Sequence, residues 1–388
     1  DAVQSYLAQV EEVMWSEMYS PGTNFTTALH EAYQDLGAFG TAVIFCGQRD
    51  DGNLLFQSKH LAECLIAENY DGAVDTVFTC CPYTVDQMVR EWGLDKVSDE
   101  IKERYSKQCF DDVFKVVHAV LPRNERDRTQ RGRKSMPFAS IYFEYDSLHV
   151  LEEGGFPEFP YMTPRWQKRS GELYGRSPAM TALPDIKMLQ SMMLTTIKAA
   201  QKATDPPLFI PDDGMMGPVR TVPGGLNFYR GNRDIFPLPT SDKLAVTFEM
   251  MEALRNRIRT TFYTDILQIV TEREMTATEV VQRTQERMRL LGPVIGRLEA
   301  ELLGPLVTRV FGILHRAGKL PDAPEELEEQ EFTVEYVSPI ATAQKQQEAN
   351  AFMQVLQYAQ PFFEADPSLL SSEFNPGRTI KWLADLFN

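Results

Sequence analysis

The chain lacks the long hydrophobic runs and the compact catalytic patterns that would assign a function at once. No apolar run reaches eighteen residues, so the sequence offers no candidate for a membrane-spanning helix. Neither the P-loop pattern nor the dinucleotide-binding glycine pattern occurs. The zinc-protease pattern and the serine-hydrolase elbow are missing too. These absences remove the commonest nucleotide-driven and hydrolytic enzymes from the candidate classes.

Histidine and cysteine are both scarce and scattered. The five histidines are His30, His60, His118, His149 and His315, and the five cysteines are Cys46, Cys64, Cys80, Cys81 and Cys109. No two of them have the spacing of a metal site, and the odd cysteine count argues against a disulfide framework. We expect free thiols in a reducing compartment, a buried pair at Cys80-Cys81, and no metal, cofactor or catalytic residue.

Net basic charge is also absent, because the formal net charge is −16. Tight nonspecific binding to duplex DNA depends on Lys and Arg side chains that neutralise phosphates, so this balance argues against it. An acidic surface repels a polyanion, which is compatible with DNA that passes close by without sticking. Solubility alone is the simpler interpretation of the same charge.

The first 180 residues mix short strands with short helices, which predicts a mixed α+β fold. Strands are predicted at 113–121 and 138–145, and a short helix is predicted at 85–92. The strands flank a basic segment, 122–135, that holds Arg123, Arg126, Arg128, Arg131, Arg133 and Lys134. This segment is interpreted either as a solvated loop or as a contact with DNA or an acidic partner.

Two helical runs around a glycine- and proline-rich segment predict a projecting hairpin. Leu183-Pro184-Asp185 is typical of a helix start, and Asp205-Pro206-Pro207 ends the run. Ser241 is the predicted cap of the return helix, which extends to about residue 263. Methionines 188, 192, 193, 250 and 251 suit either contact between neighbouring subunits or an ordinary core within one chain.

A third, longer helix is predicted at 276–317. Leu291-Gly292-Pro293 and Leu303-Gly304-Pro305 repeat a motif that should bend it twice, since proline removes a helical hydrogen bond. The break before this helix carries an exposed charge triplet, Glu272-Arg273-Glu274.

The ordered set of motifs resembles the portal protein (head-to-tail connector) family of short-tailed bacteriophages. The resemblance rests on Gly171-Glu172-Leu173-Tyr174-Gly175-Arg176-Ser177-Pro178, on Leu183-Pro184-Asp185-Ile186-Lys187, on Met275-Thr276-Ala277-Thr278-Glu279-Val280, on Leu291-Gly292-Pro293 and on Leu298-Glu299-Ala300-Glu301-Leu302-Leu303. It covers most of the chain, and no single motif is decisive. It implies the portal fold and a ring of twelve subunits around an axial channel.

The resemblance also implies a division of the chain into domains. Residues 1–183 would form the first part of the wing, 184–206 and 241–263 the stem helices, and 207–240 the clip. Residues 264–338 would complete the wing, with a tunnel loop at 267–275, and 339–388 would enter the crown. The chain starts at Asp1 and ends inside a predicted helix, so we expect the natural protein to extend beyond both ends.

Candidate contact residues follow from this division. Glu272, Arg273 and Glu274 would lie in the tunnel loop, near moving DNA. Lys198, Lys202, Lys243, Arg255 and Arg257 would face the channel or the capsid. Asp212, Asp213, Arg220, Arg230, Arg233 and Asp234 would make polar contacts in the clip.

The partners implied are further copies of the chain, double-stranded DNA, the terminase motor and a tail adaptor. Major capsid, scaffolding and internal core proteins complete the set, at a portal vertex of a virion assembled in the host cytoplasm; no membrane partner is expected. Two alternatives remain: a metal-dependent hydrolase or nuclease built from dispersed carboxylates, and a ring-forming scaffold without a DNA channel.

Overall fold

A computed structural model of the chain describes residues 2–49, 52–124, 126, 132–211, 220–229, 235–237, 244–264 and 291–324. The chain divides into two units. One comprises 1–8, 271–299 and 322–388. The other comprises 9–270 and 300–321, and it contains every strand that the structure describes. The fold is mixed α+β, as the sequence predicts.

The described strands occur in runs that are separated by helices. The strands are β1 (Val43–Gln48), β2 (Leu54–Lys59), β3 (Cys64–Glu68), β4 (Val74–Thr84), β5 (Val113–Pro122), β6 (Phe138–Glu144), β7 (Val150–Phe156), β8 (Tyr161–Met162), β9 (Leu208–Pro211), β10 (Leu226–Tyr229) and β11 (Phe236–Pro237). The helices are α1 (Ala2–Met18), α2 (Phe25–Phe39), α3 (Val85–Trp92), α4 (Asp99–Ser106), α5 (Pro178–Thr204), α6 (Leu244–Thr261) and α7 (Gly304–Arg316). None of these helices is both long and apolar enough to cross a membrane.

The largest sheet has five antiparallel strands in the order β3-β4-β5-β6-β7, so each strand pairs with its neighbour in sequence. The predictions of strands at 113–121 and 138–145 and of a helix at 85–92 are confirmed by β5, β6 and α3. Thr84 caps α3 in a capping box with Gln87, which holds the helix start at the end of β4. Helices α3 and α4 bury Met88, Trp92 and Ile101 against Val116 of β5.

A second, three-stranded sheet has the order β2-β1-β8. Its inner face buries Val43 and Tyr161 against Val77 and Val120 of the five-stranded sheet. The two helices and the small sheet therefore cover different parts of the same face of the five-stranded sheet.

All five cysteines are free thiols. The prediction of a buried Cys80-Cys81 pair is wrong on burial, because both residues lie on β4 but remain half exposed.

Helix α7 packs against β1 and β8 and is held by a buried arginine. The Arg309 Nε atom donates to the Cys46 carbonyl oxygen at 3.3 Å, and an Arg309 terminal nitrogen donates to a Glu158 carboxylate oxygen at 2.8 Å. Burial lowers the pKa of Arg309, although the Glu158 carboxylate partly opposes that effect. Glu158 also binds Arg316, so a single carboxylate between β7 and β8 holds both the middle and the C-terminal end of α7.

The helix before α7 changes its winding where the sequence predicts a bend. Residues 291–298 are helical, Glu299–Leu303 form a π-helical segment, and α7 follows at Gly304-Pro305. Pro305 has no N–H to donate to the carbonyl four residues back, at Glu301, which accounts for irregular winding at this point. Residues 276–290 of the predicted long helix lie outside the described residues.

Candidate functional site: the helical hairpin and its root

Helices α5 and α6 pack against each other as an antiparallel hairpin. Late in α6, Arg257 forms an ion pair with Asp185, early in α5, with 3.1 Å between nitrogen and oxygen. Met251 and Leu254 of α6 and Thr196 of α5 are buried. At about 1.5 Å per residue, the 27 residues of α5 span about 40 Å. The predicted hairpin is thus present between Pro178 and Thr261.

The hairpin starts earlier than the sequence indicates. The predicted start at Leu183-Pro184-Asp185 is wrong, because α5 begins at Pro178 and Pro184 lies inside it. Ser177 is the N-cap, and its Oγ accepts a hydrogen bond from the Met180 backbone N–H at 2.9 Å. Pro178 occupies the first turn, where proline is well suited because its missing N–H has no helical partner to lose.

Two glycines allow the root of the hairpin to cross closely over the end of α2. Gly40, the C-cap of α2, has a φ of 78° and lies against the backbone of Arg176 and Ser177. A Cβ on Gly40 would approach the Arg176 carbonyl carbon and the Ser177 nitrogen to 2.5 Å. A Cβ on Gly175 would lie 2.1 Å from the Gly40 carbonyl oxygen. Both positions therefore require glycine.

A buried arginine, Arg165, holds the segment that leads into the hairpin. Its side chain is 1% exposed. One terminal nitrogen donates to a Glu301 carboxylate oxygen at 2.6 Å, and Nε and the backbone N–H donate to the other oxygen at 3.1 and 2.9 Å. The guanidinium also donates to Glu68 and to the carbonyl oxygens of Leu173 and Gly72. One side chain thus joins the π-helical segment, the β3–β4 hairpin and the approach to α5.

The charges in this cluster favour the ionised forms of its members. Burial disfavours the charged form of Arg165, but hydrogen bonds and charges from Glu301 and Glu68 outweigh it and raise the Arg165 pKa. Burial likewise disfavours the Glu68 carboxylate, yet Lys168 and Arg165 lower the Glu68 pKa below its ordinary value. Loss of Arg165 would be costly, because it would remove the central positive charge from a largely buried group of carboxylates.

The hairpin carries apolar side chains that its own two helices leave exposed. This hairpin apolar surface consists of Leu183, Met188, Met193, Leu194, Ile197, Phe248 and Met250. At about 100° per residue, Leu183, Leu194 and Ile197 lie about 100–160° around α5 from buried Thr196. Helix α5 is therefore apolar on a second side, away from the face that packs on α6. Met251 is fully buried and Met192 is half buried, which fits a core within one chain. Met188, Met193 and Met250 are exposed, which fits a contact between neighbouring subunits.

The basic residues predicted on the hairpin differ in their surroundings. Arg255 pairs with Glu252 at 2.9 Å, and Arg257 pairs with Asp185, so both charges are already balanced within the chain. Lys198 is exposed and Lys202 is half buried, and within the described residues neither forms an ion pair. Lys243 lies outside the described residues.

The segment between the two helices forms a small sheet in the order β10-β9-β11. Strands β9 and β10 pair in parallel at the centre and one edge of this sheet. Arg220 is exposed, and its backbone is held by the buried side chain of Asn227, whose Nδ2 donates to the Arg220 carbonyl oxygen at 2.9 Å. The other predicted contact residues of this segment and of the charge triplet lie outside the described residues: Asp212, Asp213, Arg230, Arg233, Asp234, Glu272, Arg273 and Glu274.

The basic segment 122–135 is partly neutralised by β7. Arg123 and Lys134 both pair with Glu153, at 3.0 and 2.9 Å, and Arg133 pairs with Glu152 at 3.5 Å. Arg128 and Arg131 lie outside the described residues. For the described part, these pairs favour the interpretation as a surface loop over a nucleic-acid contact.

The charged residues that hold the base of the hairpin are hard to recognise from the sequence. Glu68, Arg165 and Glu301 are far apart in the chain and lie in no recognisable motif. The one available signal is Pro305, four residues after Glu301, which marks where helical winding is disturbed. Among the described residues, no cluster of three or more His, Cys, Asp or Glu side chains could hold a metal ion.

Comparison with known proteins assigns the class. Residues 1–388 match the family model described as bacteriophage head to tail connecting protein. The chain therefore belongs to the family of bacteriophage head-to-tail connecting proteins, which agrees with the resemblance seen in its motifs.

Curated relatives refine this assignment. The chain is 35% identical over 353 residues to the probable portal protein of Bordetella phage BPP-1, covering 89% of this chain and 63% of the relative. It is 32% identical over 337 residues to the portal protein of Salmonella phage epsilon15, covering 83% and 60%. A third relative, the portal protein of Enterobacteria phage T3, is 21% identical over 341 residues, covering 84% and 59%. The chain thus spans about three fifths of the length of these relatives.

Proposed function

We propose that this chain is part of a portal protein, a non-enzymatic subunit of a twelve-membered ring at one vertex of a phage capsid. The proposal is supported by the family match over residues 1–388 and by relatives that are named as portal proteins. In this account the ring nucleates head assembly, passes double-stranded DNA inward during packaging and outward during ejection, and holds the tail.

The hairpin apolar surface is the observation that best supports assembly into a ring. A helix that is apolar on two sides needs a second packing partner besides α6. In a closed ring, each subunit presents different surfaces to its two neighbours, so the exposed side of one hairpin meets a different side of the next. Leu194 and Ile197 would be covered in this way, and methionines 188, 193 and 250 suit an adaptable contact.

The domain roles follow from this arrangement. Helices α5 and α6 would be the stem, with the first stem helix starting at Pro178 instead of residue 184. Residues 207–240, with the small sheet β10-β9-β11, would be the clip. The chain before α5, with the other two sheets, would form the wing together with 264–338. Residues 339–388 would enter the crown.

Charge around the channel would permit DNA to slide. Of the stem cations, Lys198 is the best candidate to reach DNA or capsid, because Arg255 and Arg257 are engaged by acidic neighbours. The triplet Glu272-Arg273-Glu274 would give mixed charge at the tunnel loop. With a net charge of −16, phosphate contacts would be few and retention of DNA would depend on salt.

The partners in this account are those of a head-to-tail connector. The clip, including Arg220, would dock the terminase motor during packaging and the tail adaptor afterwards. The wing would contact the major capsid and scaffolding proteins, and the crown would contact internal core proteins. Assembly would take place in the host cytoplasm, and the mature location would be the portal vertex of the virion.

The hairpin contact is tested by Leu194→Glu, measured as assembly mass by native mass spectrometry. Leu194 is 55% exposed within one chain, so the change should leave the isolated fold within about 0.5 kcal/mol of wild type. We expect loss of the ring and accumulation of monomer. Leu148→Glu is the matched control, since Leu148 is 69% exposed and lies in the turn before β7, and it should retain the ring. A ring of unchanged mass and salt stability in Leu194→Glu would exclude this hairpin face from the subunit contact.

A further inference from the structure

A cavity lies between the two sheets, where neither covering layer reaches. Helices α3 and α4 cover the face of the five-stranded sheet around Val116, and the small sheet covers it around Val77 and Val120. Between these layers is a space of about 70 Å³. A buried water needs on the order of 10–15 Å³ measured in this way, so the space holds several waters or a small ligand.

The cavity floor carries polar side chains at positions that face the core. Thr79, Cys81, His118 and Tyr142 line it from three adjacent strands, β4, β5 and β6. The His118 ring stacks on Tyr142 at 4.0 Å between ring centres, and its two nitrogens bond Tyr161 Oη at 3.0 Å and Ser140 Oγ at 2.9 Å. Since both ring nitrogens already have hydrogen-bond partners, His118 holds the side chains around it in place, and a ligand would be bound by the neighbouring residues.

Hydroxyl groups remain available in the cavity. No hydrogen bond from another described residue reaches the hydroxyls of Tyr83 or Tyr142, and both side chains line the space. Burial raises the pKa of each phenol, so both are protonated at neutral pH and can donate. Phe45 adds a flat apolar wall.

One cation faces the same space. Lys59 lines the cavity from β2, is half buried, and forms no ion pair with any described residue. No Asp or Glu is among the described residues that line the cavity. A half-buried ammonium group that forms no ion pair with a described residue, in a cavity that two donating phenols also line, is complementary to an anion that accepts hydrogen bonds.

We propose that this cavity binds a small anionic ligand, with a carboxylate held by Lys59, Tyr83 and Tyr142 and a flat apolar body against Phe45. The proposal is independent of ring formation. The competing explanation is that Lys59 is an inward-pointing charge that protects the edge of β2 from pairing with other strands, over a cavity filled only with water.

Isothermal titration of the purified chain with benzoate tests the proposal. Benzamide has the same shape without the charge, and inorganic phosphate has the charge without the flat body. We expect one benzoate site per chain, with affinity for benzamide at least about tenfold weaker, since hydrogen bonds to charged groups are worth more than neutral ones. Phosphate should bind more weakly than benzoate but still depend on Lys59.

Variants locate the binding. Lys59→Met should abolish benzoate binding, Lys59→Arg should retain it, and Tyr142→Phe should weaken it several-fold. Lys115→Met is the matched control, because Lys115 is exposed on β5 and interacts with Tyr145 outside the cavity. Absence of a benzoate site in the wild-type chain, equal binding of benzamide, or benzoate binding that survives Lys59→Met would each overturn the proposal and leave Lys59 as an edge-protecting residue.

Discussion

Glu301, in a π-helical segment, binds Arg165 through both carboxylate oxygens, although the two residues are 136 positions apart in the chain. The contact ties the irregular turn before Pro305 to the segment that leads into the hairpin. In a regular α-helix the Glu301 side chain would point in a different direction, so the ion pair with Arg165 depends on the π-helical winding. Any displacement of the π-helical segment would act on the root of α5 through Arg165.

Removing this arginine should be severely destabilising. Arg165→Met keeps most of the side-chain volume but removes the buried positive charge that Glu68 and Glu301 share. We expect a loss of about 3–5 kcal/mol in the free energy of unfolding, measured by chemical denaturation at fixed protein concentration. Arg255→Met is the control, because its pair with Glu252 is exposed and should contribute less than about 1 kcal/mol. Similar losses of unfolding free energy in Arg165→Met and Arg255→Met would show that the buried cluster stabilises the fold no more than an exposed ion pair does.

The close crossing at Gly40 can be separated from ordinary backbone strain. Gly40 and Gly22 both have left-handed φ values, 78° and 96°, but no atom lies within 4 Å of a Cβ built on Gly22. Gly22→Ala should cost about 1–2 kcal/mol from the backbone alone. Gly40→Ala should cost clearly more, since the Cβ would meet the backbone of Arg176 and Ser177. Equal unfolding free energies in the two variants would contradict the crossing.

The two adjacent methionines of α6 should behave oppositely. Met251 is fully buried within the chain, and Met251→Ala should lower the unfolding free energy by about 2–5 kcal/mol. Met250 is 49% exposed, so Met250→Ala should leave denaturation of the chain within about 0.5 kcal/mol of wild type and weaken ring assembly. Denaturation midpoints and native mass spectra measure the two effects, and a reversed pattern would show that the helix faces are wrongly assigned.

Acid should destabilise the fold through His118. Burial, reinforced by the charge of Lys59, lowers the His118 pKa to about 3, against about 6.5 in an unfolded chain. Because the unfolded chain binds the proton more readily, the His118 contribution is complete above about pH 6.5 and is lost progressively as pH falls towards 3. Each pH unit in this window should cost about 1.4 kcal/mol from this group.

The measurement is the unfolding free energy between pH 7 and pH 5. His118→Gln should be less stable than wild type at pH 7. Its unfolding free energy should also fall less steeply with decreasing pH, by an amount that corresponds to about one fewer proton taken up on unfolding. His30→Gln, which changes an exposed histidine on α2, should keep the wild-type slope. A wild-type slope retained in His118→Gln would mean that another group takes up the proton.

Much of the sheet and the existence of the hairpin could be predicted from local patterns. Short runs rich in β-branched and aromatic residues located β5 and β6, and proline with glycine located the segment between α5 and α6. The start of α5 was misplaced because Ser177-Pro178 and Pro184 are both acceptable starts, and only packing against Ala38 and Gly40 selects the first. Burial of Cys80 and Cys81 was misjudged because a strand pattern does not show that a cavity borders Cys81.

The contacts at the root could not be predicted from one sequence. Arg165, Glu68 and Glu301 meet only through the tertiary fold, and each alone looks like an ordinary surface charge. The hairpin basic residues show the same limit: helical spacing placed Arg257 on α6 but could not reveal Asp185 opposite it. The predicted tunnel-loop role of Glu272, Arg273 and Glu274 remains a prediction.

Electron microscopy of the purified chain with rotational averaging tests the central claim most directly. The account predicts a closed ring of about twelve subunits with a central opening on the order of 20 Å or more, wide enough for duplex DNA, whose major groove alone is about 12 Å wide. A monomer or dimer without an opening across several salt concentrations, or a closed ring with no hole, would contradict the channel.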